Sequence, residues 1–220
     1  MGTYAAGDAT KNRIKAVARP LFYKQGPAAV TDTAICREAE VQRGLVGYHF
    51  GGHGGLVAAV YRDYVESLRN AASQKFPTDC PMLSYCVLEY LLIDLLHRDA
   101  NMRRLYVEMI QYPEVSDEEV RVQHEQIARI LSLDPGEVTG QLKAAVALTQ
   151  GAFNELIRCI DNGYLDGDLD ELIRIDLMMS MTLMGIDTSR SAELVEETRR
   201  LISGYRIAIG PALSPRVIST

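Results

Sequence analysis

Apolar residues recur at intervals of three and four along almost all of this chain, and no stretch alternates apolar with polar residues over the length of a strand. The pattern predicts an all-α protein. Ile14, Val17, Ala18, Leu21 and Phe22 mark a first helix over Ala9 to Gln25, ended by Gly26. Pro20 falls inside it and predicts a bend near Arg19 or a helix that tolerates it through packing, because an internal proline removes a backbone donor and costs about 3 kcal/mol. Thr31 is an N-cap type, and Ala34, Ile35 and Ala39 behind it bury one face of a short helix. A second short helix begins at Gln42, where Arg43, Leu45, Val46, Tyr48 and His49 give one apolar face and one face of donors; Phe50 closes the small core of the pair. A longer helix then runs from Gly54 to about Lys75.

Pro77 to Pro81 is the clearest boundary, so the chain divides into a head, residues 1–76, and a body, residues 77–220. Body helices follow at 79–97 and 99–112, the latter stopped by Pro113. Ser116 with Glu119 reads as a capping box opening a helix to Leu131, and Asp134, Pro135 and Glu137 repeat the signature for a helix ending at Asn162-Gly163. Asp168 with Glu171 caps a helix over 169–185 that is apolar on almost every side. Such a helix must be buried all round, and a second subunit covers its outer face most simply. With the amphipathic helix over Ser189 to Ile209 it forms half of a four-helix bundle, which makes Leu177, Met181, Met184, Leu194, Leu201 and Tyr205 the expected homodimer interface. Pro211 to Thr220 reads as a loose tail.

Charge sharpens the division. The formal net charge is −6, yet residues 1–76 carry ten Lys/Arg against six Asp/Glu, whereas residues 77–220 carry thirteen against twenty-three. A basic head on an acidic body is expected when only the head meets phosphate. Two helices joined by a short turn let the second enter a major groove while the first crosses the backbone. The N-terminus lacks the apolar run of a signal peptide and no window is long enough to span a bilayer, which points to a cytoplasmic protein with no membrane partner.

Candidate chemistry beyond the head is sparse. Cys36, Cys80, Cys86 and Cys159 show no CxxC pairing and read as packed thiols. The histidines have no paired spacing, so no metal is expected from His97, His124 and their neighbours; no nucleophile has a base beside it and no cofactor fingerprint occurs, which argues against an enzyme. Gly51-Gly52-His53-Gly54-Gly55 lacks the order of a phosphate-binding loop and reads as a flexible connection. Tyr85, Glu89, Tyr90, Tyr106, Met109, Tyr112, His124, Gln150, Phe153 and Asn154 all lie on body helices that must converge. They are the expected lining of a small-molecule site, with an effector largely apolar or aromatic; the alternative is an ordinary helical core with tyrosine hydroxyls at its margin.

Ile14, Ala18, Leu21-Phe22, Gly26, Thr31, Ile35, Ala39, Val41, Gly44, Tyr48-His49-Phe50 and Leu56 together resemble the TetR family of bacterial transcriptional regulators, over about a quarter of the chain. The resemblance implies a homodimeric repressor whose heads occupy successive major grooves of a palindromic double-stranded operator, released when a small molecule enters the body. It places Thr31 and Thr33 on phosphate, Gln42, Arg43, Gly44, Leu45 and Tyr48 on or beside the bases, and His49 and His53 on the backbone. The sequence departs from the family at Gly47, at His53, at Gly54 and at Glu40, where a glycine usually makes the turn. Six of the twelve residues from Gly44 to Gly55 are glycine, which predicts a second helix that is short or poorly ordered without DNA. A dimeric small-molecule-binding or interaction protein of the same architecture that has lost operator binding is the alternative.

Overall fold

The computed structural model describes residues 2–134, 137–165 and 167–220. They form an all-α protein with one small sheet. The head comprises α1 (Gly2–Gln25), α2 (Asp32–Glu38), α3 (Leu45–Phe50) and the first half of α4 (His53–Lys75). Its centre is made by the positions whose spacing predicted it: Ile14, Ala18 and Phe22 from α1, Ile35 and Ala39 around α2, Val46 from α3, and Leu56, Val57 and Val60 from α4. α1 remains one helix across Pro20, and it begins at Gly2, before the expected Ala9.

The turn between α2 and α3 is tight because two residues enter left-handed backbone, Glu40 at φ 52° and Gly44 at φ 94°. Glycine reaches that region freely and glutamate does not. The turn takes up Gln42 and Arg43, so α3 starts at Leu45 and is only six residues long, shorter than a helix from Gln42. Gly55 on α4 sits directly beneath α3, where a Cβ would collide with the carbonyl oxygen of Phe50. The expected flexible connection is therefore a close approach that only glycine allows.

The body is α5 (Pro81–Arg98), α6 (Ala100–Met109), α7 (Pro113–Ile130), α8 (Gly140–Asp161), α9 (Leu169–Leu183) and α10 (Thr188–Ile202). α5 is central, with Leu91, Ile93, Leu95 and Leu96 buried and α6, α8, α9 and α10 around it. No gap in packing falls at residue 77, because Tyr61, Tyr64 and Leu68 of α4 are buried in the same apolar cluster as α5. Two expected caps are corrected. Pro113 is the first residue of α7 rather than the stop of α6, so Ser116 and Glu119 lie inside that helix and Glu119 turns inward. Glu137 does accept a bond from the Asp134 amide at 3.0 Å, but α8 begins later, at Gly140 behind the Thr139 cap; Pro135 lies outside the described residues.

The C-terminus departs most from expectation. α10 ends at Ile202, Gly204 turns at φ 78°, and residues expected as helix and loose tail form an antiparallel hairpin, β1 (Tyr205–Gly210) with β2 (Ser214–Ser219). Ile207 pairs with Val217 and Ile209 with Pro215. Ile207, Leu213 and Pro215 are buried while Arg206, Arg216 and Ile218 face out, the period of two that a strand requires. β1 lies on α5, β2 on α4, and the connecting turn touches α1, so the hairpin straps the body to the head. Tyr205 anchors its base edge-on to Phe76 at 5.5 Å between ring centres, with the Lys75 ammonium over its other side at 4.2 Å.

Candidate DNA-contact surface and body cavity

The short α3 presents an exposed edge. Tyr48 is 81% exposed, and Gln42, Arg43 and Gly44 stand free in the turn before it. Arg43 makes no ion pair among the described residues, whereas Lys15 and Arg19 of α1 are both held by Asp63. Leu45 and His49 are half-buried and Thr33 is exposed; the Thr31 hydroxyl accepts from the Ala34 amide at 3.2 Å, which caps α2 and leaves the hydroxyl proton free to donate. His53 does not share this surface. Its Nδ1 faces Asp32 at 2.6 Å, its Nε2 faces the Pro27 carbonyl at 3.0 Å, and its ring lies between Phe22 and Tyr112. Both nitrogens are engaged inside the protein, which corrects the expected backbone contact.

Three helices of the body grip the head. From α6, the Arg104 guanidinium donates to the carbonyls of Tyr23 and Lys24 at the end of α1, at 3.0 and 2.8 Å, and Glu108 accepts from the Ala28 amide at 3.3 Å. Gly26 turns there at φ 81°, a backbone conformation that other residues rarely adopt, and a Cβ on it would push the Glu108 carboxylate aside. From α7, Glu118 bridges Arg62 of α4 and Arg121, which hold its pKa down at about 2. At the end of α5, Asp99 accepts from the Tyr23 hydroxyl at 2.9 Å.

Behind this grip lies a small cavity of about 30 Å³, lined by Tyr61, Tyr85, Glu89, Tyr106, Gln123, Gln150, Phe153, Asp176 and their neighbours. That is room for one or two waters. Of the expected lining, Tyr85, Glu89, Tyr106, Gln150 and Phe153 meet here; Asn154 stands just behind, Met109 packs in the core, and His124 lies on α7 outside the lining with a buried, unpartnered Nε2. Tyr90 faces away to bond Asp170, and Tyr112 is at the head. The pattern missed Tyr61, Gln123 and Asp176. Asp176 carried a signal: it is the one acid on the buried stripe of α9 formed with Ile173, Leu177 and Ser180.

The chamber is polar, with Glu89, Asp176, Gln123 and Gln150 set among tyrosines. Glu119 accepts from Tyr61 at 3.0 Å and from the Asn154 amide at 3.3 Å, and its Oε1 lies 3.1 Å from the Tyr106 hydroxyl, which also faces Asn154 Oδ1 at 2.5 Å. The Tyr106 hydroxyl proton is shared between the two oxygens. Burial pushes the Glu119 pKa up, while the bonds from Asn154, Tyr61 and Tyr106 oppose that rise. Burial and the neighbouring Asp176 raise Glu89 to about 8, and burial raises Asp176 to about 7.

The expected dimer residues are also relocated. Leu177, Met181, Met184 and Leu194 are consumed by the protomer's own core, and Tyr205 belongs to the hairpin. Leu201 is partly exposed, while the large apolar side chains left bare on the adjoining α8 and α9 are Leu148, 60% exposed, and Ile175, 52% exposed.

Residues 14–60 match the family model of bacterial regulatory proteins, tetR family. Among solved structures, the chain is similar to RolR in complex with resorcinol, with a TM-score of 0.62 and 19% identity over 87% of this chain and 95% of that one. It is also similar to SmeT, the repressor of the Stenotrophomonas maltophilia multidrug efflux pump SmeDEF, with a TM-score of 0.53 and 19% identity over 78% and 88% of the two chains. A tetR-family transcriptional regulator from Streptomyces coelicolor gives a TM-score of 0.51 and 16% identity over 91% and 90%. At these identities the likeness concerns the fold. No curated protein sequence is a match, and among the described residues no helix is long and apolar enough to cross a membrane.

Proposed function

We propose, from the match of residues 14–60 to the family model of bacterial regulatory proteins, tetR family, that the protein is a ligand-responsive repressor that binds a palindromic operator as a homodimer. The observation that carries this reading is the placement of α6. One helix holds the head through Arg104 and Glu108 and lines the cavity through Tyr106. On α7 the adjacent Glu118 and Glu119 divide the same two tasks, one on Arg62 of α4 and the other at the chamber. A molecule entering a chamber of about 30 Å³ must displace these helices, and the head moves with them. RolR, of the same fold, binds resorcinol, which supports a small-molecule effector here.

Arg43, Gln42 and Tyr48 read the bases and Thr31 and Thr33 hold phosphate. Leu148 and Ile175 form the centre of the dimer face, where a second copy covers both. Selection from random duplex DNA tests the reading: a palindrome is enriched, and its binding weakens steeply with salt. Arg43→Ala lowers affinity for that palindrome by roughly 10- to 100-fold, the worth of one good base contact, with the dimer intact. If no palindrome is enriched at low salt, the six-residue α3 has ceased to read DNA and a ligand-binding protein of the same architecture remains.

A further inference from the structure

The cavity is built for charge that the protein does not itself supply. Asp176 is 4% exposed, points into the chamber, and has neither a hydrogen-bond donor nor an ion pair among the described residues. Glu89, equally buried, shares the wall and meets the Gln123 side chain. Three more elements contribute titratable groups: Tyr61 and Arg69 from α4, Tyr106 from α6, and Glu119 from α7; Tyr85 and Cys86 flank Glu89 on α5. Arg69 is the only cation among them, and it lines a different hollow with Ala72, Phe76 and Leu88. No Lys, Arg or His forms a salt bridge with Glu89, Glu119 or Asp176 among the described residues. The walls between the acids are aromatic, from Tyr61, Tyr85, Tyr106 and Phe153.

Resting on the ligand-responsive reading above, we propose that the effector is a small organic cation, a protonated amine, whose ammonium group sits between Asp176 and Glu89 with its carbon skeleton against the aromatic walls. The aromatic faces attract a cation through their quadrupoles, and the carboxylates make charge-assisted hydrogen bonds to it. Burial opposes charge on both acids, so near neutral pH Glu89 holds a proton and Asp176 holds one in part. Binding is then an exchange: the carboxylic acid gives its proton to solvent, and the carboxylate and ammonium ion remain as a neutral pair. A phenol or alcohol donates a neutral hydrogen bond and releases no proton.

The test uses the full chain and a graded panel of primary ammonium ions, from methylammonium to 2-phenylethylammonium, each beside the alcohol of the same skeleton. Titration calorimetry at pH 7 in two buffers of different ionisation enthalpy reads affinity and proton release together. At least one amine binds about tenfold or more tightly than its alcohol, with release of up to one proton, and Asp176→Asn removes most of that preference. Circular dichroism and the melting temperature of Asp176→Asn and Glu89→Gln establish that both variants fold. The proposal is overturned if no amine binds, if the alcohols bind as tightly as the amines, or if the preference survives in both variants. Release of operator DNA by a neutral phenol such as resorcinol, with no amine active, overturns the cation and leaves the ligand-responsive regulator standing. The absence of any enriched palindrome overturns the regulator whatever the amines do.

Discussion

Head and body are made of the same helical element and keep opposite things at their centres. Between α1 and the first half of α4 every buried side chain is apolar, and all eight buried polar residues among those described lie in the body. Four of those eight are acids: Glu89, Glu118, Glu119 and Asp176. An apolar centre is stabilised in proportion to the area it hides, and it has one well-packed arrangement. A centre with unpaired carboxylates is held against their desolvation, and its local stability is correspondingly lower. The head thereby has one packed arrangement, and the body keeps buried polar groups that lack partners.

The comparison can be broken in four places, the largest effect first. Gly55→Ala puts a Cβ into the Phe50 carbonyl, so α3 must leave its seat on α4; we expect palindrome binding to fall below detection in a mobility-shift assay while the body keeps its helical signal. Phe22→Ala empties the centre of the head and costs about 3–5 kcal/mol in denaturant unfolding. The equivalent insult to the body has the opposite sign: Asp176→Leu removes an unpaired buried acid and is neutral or stabilising, by up to about 4 kcal/mol. A loss as large as that of Phe22→Ala would show that the two centres do not differ in kind.

The third break is in pH. Glu89 has a folded pKa of about 8 against an ordinary 4.5, so the folded protein binds more protons than the unfolded chain between those values. Its contribution is fully present below about pH 4.5 and is lost as pH rises through 8; Asp176 acts likewise from 3.8 to about 7. Melting temperature therefore declines across that range, and Glu89→Gln flattens the decline. Glu118 works the other way, because Arg62 and Arg121 hold it at about 2, so its stabilisation is present above pH 4.5 and fades as pH falls toward 2. The smallest break is Glu118→Gln. Its partners Arg62 and Arg121 are half-exposed, so the loss is about 1 kcal/mol or less near neutral pH, read as a slightly lower denaturant midpoint.

Much of the head was legible because a three-helix core is a local problem. Ile14, Ala18, Phe22, Ile35, Val46 and Leu56 repeat at helical spacing, and the Thr31 cap bonds within its own turn. The start of α3 was misread because a left-handed glutamate at Glu40 has no signal in residue type, and the turn it permits consumes Gln42 and Arg43. Glu119 was misread for a related reason. Three residues after a serine it satisfies a local capping rule, and only α4, α6 and α8 closing over it make a buried acid of it.

By itself the sequence determined the all-helical class, the basic head and the helix pair, since period, cap and charge are written in neighbouring residues. It also named five of the cavity residues, because tyrosines and amides on apolar helix faces must gather somewhere. Only the tertiary structure decided the rest. It took the 169–185 helix's strongest apolar residues into the protomer core and left Leu148 and Ile175 bare. It turned the C-terminal residues into a strap, because strands exist only when paired and Ile207 needs α5 to bury it. And it gathered an acidic chamber behind the helices that hold the head, since which groups lie beside Asp176 depends on six helices, α4 to α9, meeting at one point.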